Sequence, residues 1–538
     1  MKSKVIQSVL GVAGILSVSC SSRDQEKIND LPNIILILAD DLGYHELGCN
    51  GQKIIKTPNI DALAESGIRF TQYYSGSPVC APSRYSLLTG IHTGKAFIRQ
   101  NSGRPGVMSD YRVNAVYERN DILLSDNPAL EGSYPIHSET KTISKLLSTK
   151  GYVNSFIGKW GLGGPFSEGV PSRQGFDHYL AYLDQGQAHN YYPLYLWRND
   201  EKIFLNNAFL PRRTFLNEGE DPYNPANYEK YTLNEYAPEL MINEALSFIK
   251  THKDNPFFLY FATIIPHLPY QAPKEWVDKY RPVVGEEEPF YQHHNYFPCR
   301  YPRATYAGMI SYLDYQVGLI VQELKDQGIY DNSIIIFTSD NGPIGEVCTY
   351  FESAGNFNPE KLKTYVYEGG IRVPMIVSWP AMIKNPGVSD HICAAWDLFP
   401  TLCDITKINH EKNSDAISFL PVLNGRGEQK KHDYLYWELI SDRGQQAVRM
   451  GKWKGIRTGT KDGILKIKLF DLESDISEQT DVADQYPEVV KKIEAAMQDA
   501  HITPELKRFD IFDPNQYPEV GDYPRHPAIS GDYQIKMN

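Results

Sequence analysis

A chain of 538 residues has room for roughly two to four domains at about 150 residues each, and for a sizeable buried core. Its 41% hydrophobic and 22% charged residues, with 40 Gly and 35 Pro, are those of a globular protein and exclude disordered, collagen-like and polytopic membrane classes. The net charge of −12 argues against a nucleic-acid partner, which is bound through surplus positive charge, and a polyanionic substrate meets the same repulsion unless the site supplies cations.

In chain order, Lys2 and Lys4 precede an apolar stretch from Val5 to Val18. It is too short to span a bilayer and suits a signal peptide over residues 1–19. Ser17-Val18-Ser19 before Cys20 admits two readings, a signal-peptidase site or a loose lipobox that makes Cys20 the lipidated first residue. The lipobox is favoured, although Ser17 stands where an aliphatic residue is usual. Polar residues 20–30 then form a tether. The expectation is an exported protein, periplasmic or at the cell surface, held to the inner or outer membrane by a lipid.

Ile34 to Leu38 is an unbroken aliphatic run, the mark of a strand buried on both faces of a parallel sheet, and it ends in Asp40-Asp41. Thr57-Pro58 reads as a helix cap and first residue, Ile60, Leu63 and Ala64 as one apolar face, and Gly67 as the stop. The alternation continues. A helix around Ile143, Leu146 and Leu147 leads to a strand from Tyr152 to Ile157, ending in Gly158-Lys159. A helix with Leu240, Met241, Leu246 and Ile249 precedes the strand Phe257 to Ala262, which runs into Pro266-His267. A long amphipathic helix from Met309 to Leu324 precedes the strand Ser333 to Thr338, ending in Asp340-Asn341, and Arg372 to Ser378 supplies a further strand. Helices alternating with strands predict an α/β protein with a large doubly wound mixed sheet, over residues 31–425. Beyond Asn424-Gly425-Arg426 come short strands at Tyr434 to Leu439, Ala447 to Arg449, Trp453 to Arg457 and Leu465 to Leu472, then a helix from Pro487. Residues 426–538 thus read as a smaller antiparallel α+β domain.

In open α/β sheets, ligands bind beyond the carboxyl ends of the strands, so Asp40-Asp41, Lys159, His267 and Asp340-Asn341 should converge. Asp40, Asp41, Asp340 and Asn341 offer only oxygen donors, the ligand set of a hard cation, and calcium tolerates a carboxylate-rich, irregular shell better than magnesium. Singly, each of these dipeptides is common as a turn or cap; their pairing points to a metal. The seven cysteines, Cys20, Cys49, Cys80, Cys299, Cys348, Cys393 and Cys403, are too few for a disulfide scaffold and lack the paired spacing of a zinc site. Cys80 falls at a predicted helix N-terminus, where a thiol is acidified and reactive, against the alternative of a buried structural cysteine.

Cys80-Ala81-Pro82-Ser83-Arg84 followed by Leu88-Thr89-Gly90 resembles the signature of the formylglycine-dependent sulfatases, a branch of the alkaline phosphatase superfamily. Leu38 to Gly43, Thr57 to Asp61, Gly158-Lys159-Trp160, Pro266 to Pro269, Ser339 to Gly342 and Tyr367 to Pro374 follow in that family's order. Lys363 sits where the family has its second active-site lysine. The resemblance implies that a formylglycine-generating or sulfatase-maturating enzyme oxidises Cys80 to formylglycine. One oxygen of the hydrated aldehyde then attacks sulfur and the other expels sulfate. It implies one calcium ion on Asp40, Asp41, Asp340 and Asn341 with residue 80 as a further ligand, Arg84 orienting the diol, Lys159 and Lys363 on sulfate oxygens, Asp340 accepting a proton and His267 protonating the leaving alcohol. One departure is plain: many members read Gly-Lys-x-His, whereas Gly161 stands in place of that histidine.

For substrate recognition, His189 and Asn190 within Gln187 to Pro193, together with Leu196 to Asn199, combine aromatic faces with hydrogen-bonding groups suited to sugars. Arg99, Asn101 and Arg449 are weaker candidates. The resemblance implies a carbohydrate sulfatase acting on sulfated glycans, with a lean towards 4-O-sulfated galactose or N-acetylgalactosamine. The rivals are a phosphonate monoester or phosphodiester hydrolase of the same superfamily and a catalytically silent lipoprotein that binds sulfated glycans.

Overall fold

Ile34 to Leu38 are completely buried, worth about 1.5–3 kcal/mol for each large aliphatic side chain, and they form the middle of β1 (Asn33–Asp40). The computed structural model describes residues 31–101, 132–210, 214–291, 296–411 and 415–515. The expected signal peptide, Cys20 and the tether lie outside the described residues. The strands after β1 are β2 (Ile68–Phe70), β3 (Tyr73–Tyr74), β4 (Val153–Lys159), β5 (His178–Tyr182), β6 (Tyr195–Arg198), β7 (Glu201–Phe204) and β8 (Phe257–Pro266). There follow β9 (Ser333–Ser339), β10 (Met375–Ser378), β11 (Gly387–Ser389), β12 (Cys393–Ala394), β13 (Leu435–Leu439), β14 (Gln445–Met450), β15 (Trp453–Thr458) and β16 (Lys468–Asp471).

Ten strands form one mixed sheet in the order β11-β2-β10-β9-β1-β8-β4-β5-β6-β7. Its centre is parallel: β1 pairs with β8 and β9, and β4 with β8 and β5. The margins turn antiparallel, where β10 pairs with β9 and β6 with β5 and β7. Ile35 and Ile37 pack on one face and Ile34, Leu36 and Leu38 on the other, the period of two that a strand imposes. The main helices are α1 (Pro58–Ser66), α2 (Cys80–Thr89), α3 (Ile143–Ser148), α4 (Ala237–His252), α5 (Lys274–Val284) and α6 (Pro302–Asp326). Met241 of α4 and Leu313 of α6 cover the first face; Leu88 of α2 and Leu147 of α3 cover the second. No described helix is long and apolar enough to cross a membrane.

Three local expectations are corrected. Thr57 makes no side-chain cap on α1; its hydroxyl accepts from Gly48 N–H at 2.8 Å and donates to Asp61 at 3.1 Å, tying the helix to the preceding loop. The last aliphatic strand begins at Met375 and runs antiparallel to its neighbours. Leu196-Trp197-Arg198, read as a sugar-facing stretch, belongs to β6: Leu196 and Trp197 are buried, and Arg198 donates to Glu244 at 2.8 Å.

Strands β13 to β16 form a separate antiparallel sheet in sequence order. Helix α10 (Pro487–Ala500) follows the short helices α7 (Glu368–Ile371), α8 (Leu398–Thr406) and α9 (Leu420–Asn424), and packs Ile493 and Met497 with Val448 and Leu469. The second sheet's other face meets the main body through Trp437, Ala447 and Ile456 against Val366, Ile371 and Trp396. At this seam Lys454 is fully buried with its ammonium 2.8 Å from both Glu368 and Glu478. Glu368 also pairs with Arg372 at 3.1 Å, so removing Lys454 leaves Glu478 as the buried carboxylate without its cation. Lys454→Met is therefore expected to destabilise the chain by about 3–5 kcal/mol, read as a lowered urea midpoint at neutral pH.

Candidate active site

The parallel register brings the strand ends to one edge: Asp40 lies beside Pro266, Ala39 beside Ser339 and Gly158 beside Ala262. Gly158 is held at φ +123, and a Cβ there would meet the Ala262 carbonyl at 1.8 Å, so only glycine allows this close approach just before Lys159. Asp41 takes the left-handed conformation at φ +67. Its backbone N–H donates to Asp340 Oδ1 at 3.2 Å, and its carboxylate accepts from Asn341 Nδ2 and Lys363 Nζ, each at 2.7 Å. Several partners thus hold a sparsely populated backbone state, as is common at functional sites.

Helix α2 presents Cys80 at its first position. Cys80 Sγ lies 3.4 Å from Asp40 Oδ1, 3.4 Å from Lys159 Nζ and 3.5 Å from Lys363 Nζ. Lys159 donates to Asp40 Oδ2 at 2.6 Å. Arg84, one helical turn beyond Cys80, donates to Asp340 Oδ2 at 2.8 and 3.0 Å and to the Lys159 carbonyl. His267 Nε2 is 3.4 Å from Asp41 Oδ2, and its Nδ1 bonds the Leu268 carbonyl at 2.6 Å. All nine predicted catalytic and metal-binding side chains meet here, and each is at most 9% exposed.

Burial favours the neutral forms and the charge partners oppose it. Burial pushes Asp40 up, but Lys159, His267, Arg84 and Lys363 together hold its carboxyl below the usual range. Asp340, buried beside Asp40, is raised to about 6. Burial lowers His267 to about 4 against the pull of Asp41, with Lys363 and Lys159 adding to the push. The expectation of an acidified Cys80 is corrected: burial raises the thiol to about 12 despite Lys159 and Lys363. Both ammonium groups are already paired with Asp40 and Asp41, so neither they nor the helix N-terminus offset the lost hydration.

The donor set fits a hard cation. Asn341 Oδ1 is buried without a partner among the described residues, while its Nδ2 is satisfied by Asp41 and the Gly342 carbonyl. Ligand atoms of Asp40, Asp41, Cys80 and His267 lie within 4.8 Å of one another, and Asp340 adjoins them through the Asp41 N–H. His267 thus stands within reach of the oxygen cluster.

The sugar-binding candidates divide. His189 stacks on His267, with centroids 4.4 Å apart and planes within 12°, at the edge of the site. Asn190 is local: its side chain accepts from Tyr192 N–H at 2.9 Å, and its carbonyl accepts from the Tyr182 hydroxyl. Asn101 accepts from Ala81 N–H at 2.8 Å, satisfying one of the free donors at the start of α2. Arg99 is buried in an ion pair with Glu438 at 2.6 Å. Arg449 is engaged by Tyr74 and Gln72. Sequence reasoning missed Tyr296, which packs against both His189 and His267, and Glu46, whose carboxylate accepts from Gly43 N–H and the Tyr306 hydroxyl, each at 2.6 Å. Gly161, at φ +78, has the Gln185 amide where a side chain would go; a Cβ would lie 2.0 Å from Gln185 Nε2. A histidine there would need both backbone strain and displacement of Gln185.

A buried cradle of carboxylates, two ammonium groups and a histidine, set at the carboxyl edge of a doubly wound sheet, defines a hydrolase for esters of tetrahedral oxyanions. The sulfatase family model matches residues 32–408, and that of the N-sulphoglucosamine sulphohydrolase C-terminal region matches residues 361–503. The chain belongs to the sulfatase family and is a sulfuric ester hydrolase of the alkaline phosphatase-like fold. It is 30% identical to arylsulfatase A of Homo sapiens, over 79% of this chain and 74% of that protein. It is 28% identical to the N-acetylgalactosamine-6-O-sulfatase of Bacteroides thetaiotaomicron, over 91% and 97%. The solved structure of Ps i-CgsB has a TM-score of 0.68 at 28% identity, covering 88% of this chain and 94% of that one. Its complex with k-i-k-neocarrahexaose has a TM-score of 0.66.

Glu46 anchors the loop after Asp41, and burial raises its carboxyl from 4.5 to about 7. The folded chain therefore holds a proton that the unfolded chain has lost. This contribution is complete below pH 4.5 and disappears as pH rises to 7. Glu46→Gln is expected to reduce the fall in unfolding free energy across that window by about 3 kcal/mol, measured by urea denaturation at pH 4.5 and 7.

Proposed function

We propose that this sulfatase removes sulfate from sulfated glycans carrying galactose or N-acetylgalactosamine, with the 4-O ester as the preferred bond. The observation that carries the reading is the approach of Lys159 and Lys363 to Cys80 Sγ, at 3.4 and 3.5 Å. Two ammonium groups flank Cys80, and a cation held by Asp40 and Asp41 would take over those carboxylates and leave the lysine charges to meet an incoming anion. The glycan class rests on relatives: the N-acetylgalactosamine-6-O-sulfatase of Bacteroides thetaiotaomicron and the Ps i-CgsB complex with a neocarrahexaose.

In this reading a maturating enzyme converts Cys80 to formylglycine, which supplies the attacking oxygen. Asp40, Asp41, Asp340 and Asn341 hold calcium, which supplies Lewis-acid polarisation when bound. Lys159 and Lys363 bind sulfate oxygens and offset the charge that grows in transfer. Arg84 fixes Asp340 and the end of β4 through its bonds to the Asp340 carboxylate and the Lys159 carbonyl. His267 delivers a proton from Nε2 to the leaving alcohol, a step a sugar alkoxide needs. Burial and the two lysines hold His267 neutral, and Asp41 opposes them. Gly161 stands where many sulfatases carry a histidine, and the Gln185 amide occupies that space. The reading extends to export by residues 1–19 and a lipid on Cys20, which would hold the enzyme at a periplasmic or cell-surface membrane.

The test is release of sulfate from 4-O- and 6-O-sulfated N-acetylgalactosamine and galactose, side by side with phosphonate monoesters and phosphodiesters, on matured, calcium-loaded protein. The expected result is turnover of the 4-O sulfate, with phosphodiesters slower by about a hundredfold or more. Faster 6-O release would overturn the position, phosphodiester preference the reaction, and binding of sulfated sugar without any release would make the chain a silent glycan-binding protein.

A further inference from the structure

Lys363 is the one predicted catalytic group that lies on no strand end and no helix. It sits in the connection between β9 and α7, and the following residue, Thr364, has φ +73. A β-branched residue in the left-handed region is a true outlier, and such a state persists only where the surroundings over-determine it. The constraints are visible. Lys363 N–H donates to the Pro343 carbonyl at 3.2 Å, and Thr364 N–H to the Pro78 carbonyl, two residues before Cys80, at 2.9 Å. Tyr365 N–H turns back to the Leu362 carbonyl at 3.0 Å, and two further backbone groups are taken by the second sheet. Gln445, the first residue of β14 and completely buried, donates from Nε2 to the Thr364 carbonyl at 2.8 Å and accepts at Oε1 from Val366 N–H at 3.3 Å. Its Nε2 also reaches the Ser441 carbonyl at 3.2 Å. Further along, Glu478 accepts from Glu368 N–H at 2.7 Å.

We propose that Gln445 is a positioning residue for catalysis: its amide clamps Thr364 and Val366 like an added strand, holds the left-handed Thr364, and so aims the Lys363 ammonium at Asp41 and residue 80. A side-chain amide suits this task because it offers a donor and an acceptor side by side, the same pairing a neighbouring strand would give the backbone. Because Gln445 starts a strand registered to Leu439 on one side and Thr458 on the other, the clamp is carried by a rigid sheet. The C-terminal sheet thereby becomes part of the catalytic apparatus. The proposal rests on the sulfatase role given to Lys363, and the experiment separates the two.

Full-length, matured variants are compared by turnover of a sulfate ester, by thermal unfolding and by amide hydrogen exchange over residues 363–366. Gln445→Ala is expected to lower kcat/KM by about 10–100-fold and to speed exchange in that segment. In a Lys363→Ala background the same change should cost less than about twofold, because the two side chains act as one unit. Thr364→Gly should restore most of the activity lost in Gln445→Ala, since glycine holds a positive φ without strain, and this rescue shows that the variant folds. Unchanged turnover and exchange in Gln445→Ala would overturn the proposal. So would an equal loss with and without Lys363, which marks Gln445 as a general stabiliser. If the wild-type chain turns over no sulfate ester, the functional reading fails, and the comparison of amide exchange over residues 363–366 between wild type and Gln445→Ala still decides whether Gln445 clamps this segment.

Discussion

The structure depends on charge balance among buried groups around Cys80. Asp40, Asp41 and Asp340 are met by Lys159, Lys363 and Arg84, all buried. Either set alone would carry a desolvation cost of several kcal/mol per ion. Together they persist only because each group has a partner at 2.6–2.8 Å. The balance is nevertheless incomplete in its hydrogen bonding, since Asn341 Oδ1 is left without a partner among the described residues. An arrangement that is fully charged, closely packed and short of one donor is poised for a cation and an anion to enter together.

The fold exists to hold these charges still. Parallel pairing at the sheet centre sets four strand ends side by side, and the left-handed Asp41 and the close approach at Gly158 adjust the last residues. Helix α2 brings Cys80 in from another element, and Asn101 satisfies its first turn. The small sheet secures two pieces of the site's rim: Glu438 holds Arg99, two residues before Asn101, and Gln445 holds the segment after Lys363. Both sheets therefore reach the same crevice by hydrogen bonds through buried side chains.

Much of this was legible in the sequence because it is local. The aliphatic runs from Ile34 and Phe257, the Asp40-Asp41 and Asp340-Asn341 pairs and the Cys80 motif each lie within about ten residues, and strand-end logic joins them. What could not be read depends on contacts between distant segments. Nothing near Glu46 in the sequence announces Tyr306, and nothing in β14 announces Thr364. Arg99 and Asn101 were weaker candidates for substrate contact from their place soon after the Cys80 motif; Glu438 and the Ala81 N–H, which engage them, lie on other elements. Leu196 to Arg198 misled in the same way, since an aromatic stretch with an arginine suits a packed strand as well as a sugar site. The thiol of Cys80 was misjudged because burial outweighs two lysines that Asp40 and Asp41 already neutralise.

The central claim is that the cation-flanked residue 80 is where a sulfate ester is attacked. The most direct measurement is sulfate release by Cys80→Ala beside wild-type chain whose residue 80 peptide has been weighed by mass spectrometry. The account predicts that wild-type protein carrying the aldehyde releases sulfate, whereas Cys80→Ala binds the sulfated sugar and releases none. Wild-type turnover with an unmodified thiol, or undiminished turnover in Cys80→Ala, would contradict it.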